Sequence, residues 1–225
     1  MVSVYSGFVV RQPLVEHLIP LFEETHDARI DPAFAPTTVL LERITGGERP
    51  DVVIGVASVV RDLAERGLLT SPVREIAVSA VGYARPAGAP GPADDSADAF
   101  LRYLSDARAV AYSLSGASGI HFMTVLRARG LLDRIDERAV RLEGGLTAHA
   151  LADGRADVAV QQISELRSVP GSHVIAPLPE ELQSYARFAV GVRPQVGPDA
   201  QDFADLLCSA RARERFEAAG LSVPS

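Results

Sequence analysis

The sequence predicts an α/β protein of two lobes, with parallel-rich sheets covered by helices on both faces. Three observations predict it. Strand-like and helix-like segments alternate through almost all of the 225 residues, the pattern of successive βα units. The run Asp51-Val52-Val53-Ile54-Gly55-Val56 is nearly continuous apolar sequence, as a strand buried on both faces requires. The alternation then restarts after residues 85–95, the one stretch of linker composition, rich in Pro, Gly and Ala. The resulting strands are too many for one simple sheet, and no short-period repeat of the solenoid kind is present.

The elements follow in order. Val2 and Val4 lead into Ser6-Gly7, a short strand ending in a polar turn. Residues 12–26 read as a helix, with Leu14, Leu18, Leu21 and Phe22 at helical spacing and Pro20 predicting a kink. A strand is expected over 28–34. Thr37-Thr38 then cap a short helix over 39–44 that closes at Gly46-Gly47. After the strand at 51–56, Ser58 is placed to cap a helix ending at Gly67. A longer strand spans 75–84. Beyond the linker come a helix at 97–105, a strand at 107–114, a turn Ser115-Gly116-Ala117-Ser118-Gly119 and a helix from Ile120 to Arg129. Strands are expected at 138–142, 156–161, 172–176 and 185–192, with helices at 146–153 and 199–219. Cys208, beside Leu206 and Leu207, reads as a core residue of the last helix.

Composition narrows the chemistry. The chain has 22 Arg and no Lys, one Cys, and a formal charge of −7. Without Lys there is no Schiff-base lysine and no Walker A loop. One Cys excludes an internal disulfide, a CxxC pair and a cysteine-rich zinc site. The acidic balance argues against a nucleic-acid partner. No apolar run approaches the length of a membrane span, so no membrane insertion is expected. The five His include no pair at metal-ligand spacing, and neither a metal nor a cofactor is expected. The first residues read as a strand without a basic or apolar leader, which as written places the chain in the cytoplasm; a chain trimmed of its signal reads the same and is then periplasmic.

In open α/β sheets ligands sit beyond the carboxyl ends of the strands. Four such ends carry small or hydroxyl residues where a helix begins: Ser6-Gly7, Thr37-Thr38, Val56-Ala57-Ser58, and Ser115 to Gly119. A fifth, Gln161-Gln162, carries amides. Helix starts offer free N–H groups and the positive dipole end, small side chains let an anion approach, and hydroxyls add donors. Ser and Thr are equally the commonest N-caps, so each turn alone also has an ordinary structural reading. His121 is the best-placed acid–base group, and reads otherwise as a half-buried helix residue. Arg11 and Arg85 are the guanidinium candidates for a carboxylate.

Taken together, Tyr5-Ser6-Gly7, Phe22-Glu23, Thr37-Thr38 ahead of Leu40, Pro50-Asp51-Val52-Val53, Val56-Ala57-Ser58 and Arg66-Gly67-Leu68-Leu69 resemble the molybdate-type periplasmic substrate-binding proteins of ATP-binding-cassette importers. The order and spacing of these pieces over nearly the whole chain carry the resemblance. It implies a type 2 periplasmic-binding-protein fold with an interlobe cleft. Lobe 1 would hold residues 1–82 and 187–225, lobe 2 residues 83–186, and hinge strands would cross near 81–86 and 186–190. It also implies a small anionic ligand and a membrane permease as partner. Ser6 and Thr38 (or Thr37) match the family's ligand hydroxyls, and Ala57 with Ser118 or Gly119 matches its N–H donors. Gln161-Gln162 stand where the family has a tyrosine. The segments 111–122, 160–166, 169–171 and 177–179 look like a divergent branch that includes proteins similar to aconitate isomerase. That branch implies a second reading, in which the same cradle holds a tricarboxylate and His121 or Glu165 moves a proton between carbons.

Overall fold

The computed structural model describes residues 1–171 and 173–224. Two compact units are present, one of Met1–Ser79 with Ala186–Ser225 and one of Ala80–Tyr185. The chain passes between them inside two strands, β4 (Arg74–Pro86) and β9 (Tyr185–Val192).

In the first unit, β1 (Val2–Ser6) pairs in parallel with β2 (Ile30–Phe34) and with β3 (Val52–Val56), and β3 pairs antiparallel with β9. Val2, Val4 and Ser6 alternate with half-buried residues along β1, so one face enters a core containing Leu14, Leu18, Phe22, Ile54 and Phe203. A second, smaller core of Ile44, Val53, Ala57, Val60 and Leu63 lies under the helices of the other face. β3 is buried at its first four positions, as its uninterrupted apolar sequence requires. Asp51 ties three segments together. Its carboxylate accepts the Ser3 N–H at 2.9 Å, the Ser3 hydroxyl at 2.8 Å and the Arg193 guanidinium at 2.7 Å.

The kink predicted at Pro20 takes a definite form. The helix begins as α1 (Arg11–Pro13), widens into a π-helical turn over Leu14–Leu18, and continues as α2 (Ile19–Thr25). The Ile19 N–H bonds the Leu14 carbonyl, five residues back. Pro20 has no N–H to offer the preceding turn, and the wider turn absorbs that loss.

In the second unit, β5 (Val110–Ser113) pairs in parallel with β6 (Val140–Leu142) and β7 (Val158–Gln162), while β4 pairs antiparallel with β7 and β8 (His173–Pro177). Each unit therefore has a parallel centre closed by an antiparallel returning strand. The core holds Tyr112, Phe100, Phe122 and Leu126 on one face and a small-residue cluster of Ala84, Ala111, Ala159 and Leu166 on the other.

The helices start earlier than their hydroxyls imply. α3 (Thr37–Thr45) includes both threonines, α4 (Ala57–Glu65) includes Ser58, and α6 (Ala117–Ala128) takes in Ser118 and Gly119. None has a side-chain cap; the N-cap residues are Pro36, Val56 and Gly116. By contrast, α5 (Ala97–Asp106) is capped by Ser96. α7 (Leu132–Asp136), α8 (His149–Ala152) and α9 (Ile163–Arg167) are single short turns. The expected single helix over 199–219 is two, α10 (Pro198–Leu207) and α11 (Ala210–Ala218). Ser209 makes the break: its hydroxyl accepts the Ala212 N–H at 3.2 Å and donates to the Leu206 carbonyl at 2.7 Å. The break also turns Cys208 outward, so it is exposed rather than part of the core. No helix among the described residues is long and apolar enough to cross a membrane.

Candidate functional site

Three strand ends meet in the first unit. Ser6, the last residue of β1, lies opposite Phe34 of β2 and Ile54 of β3. The Gly7 N–H donates to the Ile54 carbonyl at 2.9 Å, and the Ala35 N–H to the Ser6 carbonyl at 3.1 Å. α3 and α4 both begin at this level. Thr37 links them, because its hydroxyl oxygen accepts the Val56 N–H at 3.3 Å. A side chain at Gly7 would place its Cβ 3.7 Å from that same hydroxyl oxygen and 3.7 Å from the Phe188 ring. At Gly55 a Cβ would come within 3.0 Å of the Thr37 methyl. Gly55 thus leaves Thr37 room to sit against the sheet, while a Cβ at Gly7 would make only ordinary contact with it.

Ser6 is fully buried and its hydroxyl donates to the Gly7 carbonyl at 3.0 Å. Ala57 is buried at the first position of α4, and Thr38 is exposed on the first turn of α3. The structure therefore gathers Ser6, Gly7, Thr37 and Ala57, with Thr38 on the same helix start. The Leu40 N–H donates to the Pro36 carbonyl at 3.1 Å and closes the first turn of α3. Arg11 carries its guanidinium beside Phe34, the residue paired with Ser6 across β1 and β2. It is exposed, with its guanidinium carbon 5.6 Å from the Phe34 ring centroid.

The second unit builds a comparable turn by a different device. Ser113, the last residue of β5, accepts the Ser115 N–H at 3.3 Å and the Gly116 N–H at 2.9 Å. The Ser115 hydroxyl donates to the Glu143 carbonyl. α6 then lies so close to β5 that a Cβ on Gly119 would fall 1.7 Å from the Ser113 carbonyl oxygen. Only glycine fits there. Ser118 is buried, and its hydroxyl has no hydrogen bond to any described residue. Ser113 was not among the expected binding residues. Its signal was available: a hydroxyl two and three residues before N–H groups that need a partner.

Of the remaining expected residues, Gln161, His121 and Arg85 have occupied partners, whereas the Gln162 side-chain oxygen is buried without one. Gln161 is buried and fully used: its oxygen accepts the Thr147 N–H at 2.7 Å and the Thr147 hydroxyl at 3.0 Å, and its NH2 donates to the Gly145 carbonyl at 3.0 Å. It fixes the 145–147 loop. The Gln162 N–H donates to Glu165 at 3.3 Å. His121 sits in the second turn of α6, with Nε2 2.8 Å from the Leu182 carbonyl. Arg85 donates to the Ala89 carbonyl in its own loop.

Glu165 is the most perturbed carboxyl. It is 8 % exposed, and burial pushes its pKa up to about 8 against the single opposing hydrogen bond from the Gln162 N–H. The neighbouring Ser164 hydroxyl is also buried and has no hydrogen-bond partner. No group of three or more His, Cys, Asp or Glu among the described residues is placed to hold a metal.

Comparison with known proteins places this geometry. The chain is 29 % identical over 216 residues to an aconitate isomerase of Pseudomonas, covering 92 % of this chain and 82 % of that one. The periplasmic molybdate-binding protein of Azotobacter vinelandii has the same fold at a TM-score of 0.80 and 19 % identity, with both chains covered completely. The sulfate-binding protein of Mycobacterium tuberculosis H37Rv superposes at 0.73 and 13 % identity, covering 98 % of this chain and 85 % of that one. The mixed α/β fold is therefore that of the type 2 periplasmic binding proteins. The sequence profile of the bacterial extracellular solute-binding proteins matches residues 2–222, and the chain belongs to that family.

Proposed function

We propose that this solute-binding protein takes a small anion, an oxyanion or a polycarboxylate, and delivers it to the membrane permease of an importer. One observation carries the reading. α3, α4 and α6, of nine, nine and twelve residues, start at strand ends without a side-chain cap. A missing cap costs a helix about 1 kcal/mol, and an anion at those N–H groups recovers it. Ser6, Thr37 and Ser118 add hydroxyls beside them. These donors replace the water shell of the anion, and with no Lys in the chain the positive field comes from backbone dipoles. Full-length protein should gain thermal stability by RT ln(1 + [L]/Kd) with its true ligand. Molybdate, tungstate, sulfate, citrate and both aconitates form the panel. No stabilisation by any of them would remove the reading.

A second reading, isomerisation of a small tricarboxylate, is favoured by the 29 % identity to an aconitate isomerase and by Glu165. A buried acid that keeps its proton to about pH 8 can donate that proton and, once ionised, take one back. His121 contributes less to this reading, since Nε2 already engages a backbone carbonyl. Ultraviolet absorbance during incubation with cis- or trans-aconitate separates the two: interconversion lost in Glu165→Gln supports the isomerase, and none in the native protein leaves binding alone.

A further inference from the structure

A cavity of about 520 Å³ lies within the second unit between β4, the end of β8 and residues 92–95, and none of its lining residues belongs to the anion turns. Its lining carries three carboxylates, Asp94, Asp95 and Glu180, and two tyrosines, Tyr83 and Tyr185; no Arg or His lines it. Asp94 accepts the Ser96 N–H at 2.9 Å. The side-chain and backbone hydrogen bonds from Ser96 hold its carboxyl below the usual range, so it is ionised at neutral pH. Glu180 accepts the Tyr185 hydroxyl at 3.1 Å, which aligns an exposed ring beside a carboxylate.

Tyr83 is the second, independent observation. It is 9 % exposed, lines the cavity, and its hydroxyl has no hydrogen bond to any described residue. The ring is largely buried while the hydroxyl itself stays accessible, so it is open to a donor in the cavity. Gln183, also in the wall, is by contrast fully engaged. Its oxygen accepts the Val81 and Ser184 N–H groups and its NH2 donates to the Val81 and Leu178 carbonyls, so that wall is rigid. The charge of Arg85 acts at Tyr83 and that of Arg102 at Asp94, but neither guanidinium lines the cavity, and Arg85 is turned to the Ala89 carbonyl.

We propose that this cavity is a second binding site, for a small molecule carrying a guanidinium group. A planar cation with five N–H donors can stack on a tyrosine face, fork to a carboxylate and donate to the open Tyr83 oxygen at once. The volume lies within the range of small-molecule sites. The cavity shares no lining residue with the anion turns, so variants in one leave the other's residues unchanged.

Calorimetric titration of the full-length protein with agmatine tests the proposal, with a blocked arginine tripeptide as the second arm. Agmatine should bind, and Tyr83→Phe and the double variant Asp95→Asn/Glu180→Gln should each weaken it about tenfold or more. Circular dichroism and thermal unfolding verify that both variants fold. Absence of binding at about 10 mM agmatine, or binding equal in native protein and both folded variants, would overturn the site. Binding of the tripeptide without agmatine would overturn the small-molecule assignment.

Discussion

Glu165 is where the chain concentrates its electrostatic cost. Its ordinary pKa is near 4.5 and burial holds it to about 8 in the fold. Between those values the unfolded chain is ionised at this position while the folded chain keeps its proton. The folded state then binds more protons, so stability falls as pH rises from about 4.5 to about 8. Denaturant midpoints across that range should show the decline, and Glu165→Gln should remove it; parallel curves for the two proteins would contradict the assignment. Gly119 is the steric counterpart. A Cβ there meets the Ser113 carbonyl oxygen at 1.7 Å, so Gly119→Ala should cost about 1–3 kcal/mol or more in denaturant unfolding. A neutral Gly119→Ala would mean that α6 and β5 pack less closely than described.

At the scale of elements, strands were legible and helix starts were not. The buried run of β3 and the alternation of β1 announce themselves in hydrophobic pattern. The starts of α3, α4 and α6 do not, because the local signal of a Ser or Thr before an apolar run means a cap. Here Thr37, Ser58 and Ser118 lie inside the helices, whose N-caps are Pro36, Val56 and Gly116. Tertiary packing decides this, through glycines that let each helix approach its strand. The reverse failure occurs at Ser209, where a real cap splits one expected helix into two. Ser209→Ala should cost about 1 kcal/mol and fray α11, visible as lost protection of its amides. Gln161 shows why an amide at a strand end resists reading from sequence. It resembled a ligand residue, yet all its polar atoms serve Thr147 and Gly145. Gln161→Leu should therefore destabilise by about 1–3 kcal/mol through orphaned buried groups. A Gln161→Leu protein of native stability would return Gln161 to the ligand set.

For the whole molecule, charge says little and placement says much. A protein of net charge −7 without a single Lys can still recognise an anion if the positive potential is local. In each unit taken alone, helix starts, small residues and hydroxyls converge at strand ends. The family places the chain among solute-binding proteins, and the proposed reading gives the choice of solute to these turns. Titration of the full-length protein with the oxyanions and tricarboxylates, alongside Thr37→Val and Ser118→Ala, tests that account most directly. One ligand should bind the native protein, and each variant should weaken it by about 1–3 kcal/mol while keeping its fold. A ligand bound equally by the native protein and both folded variants would contradict it.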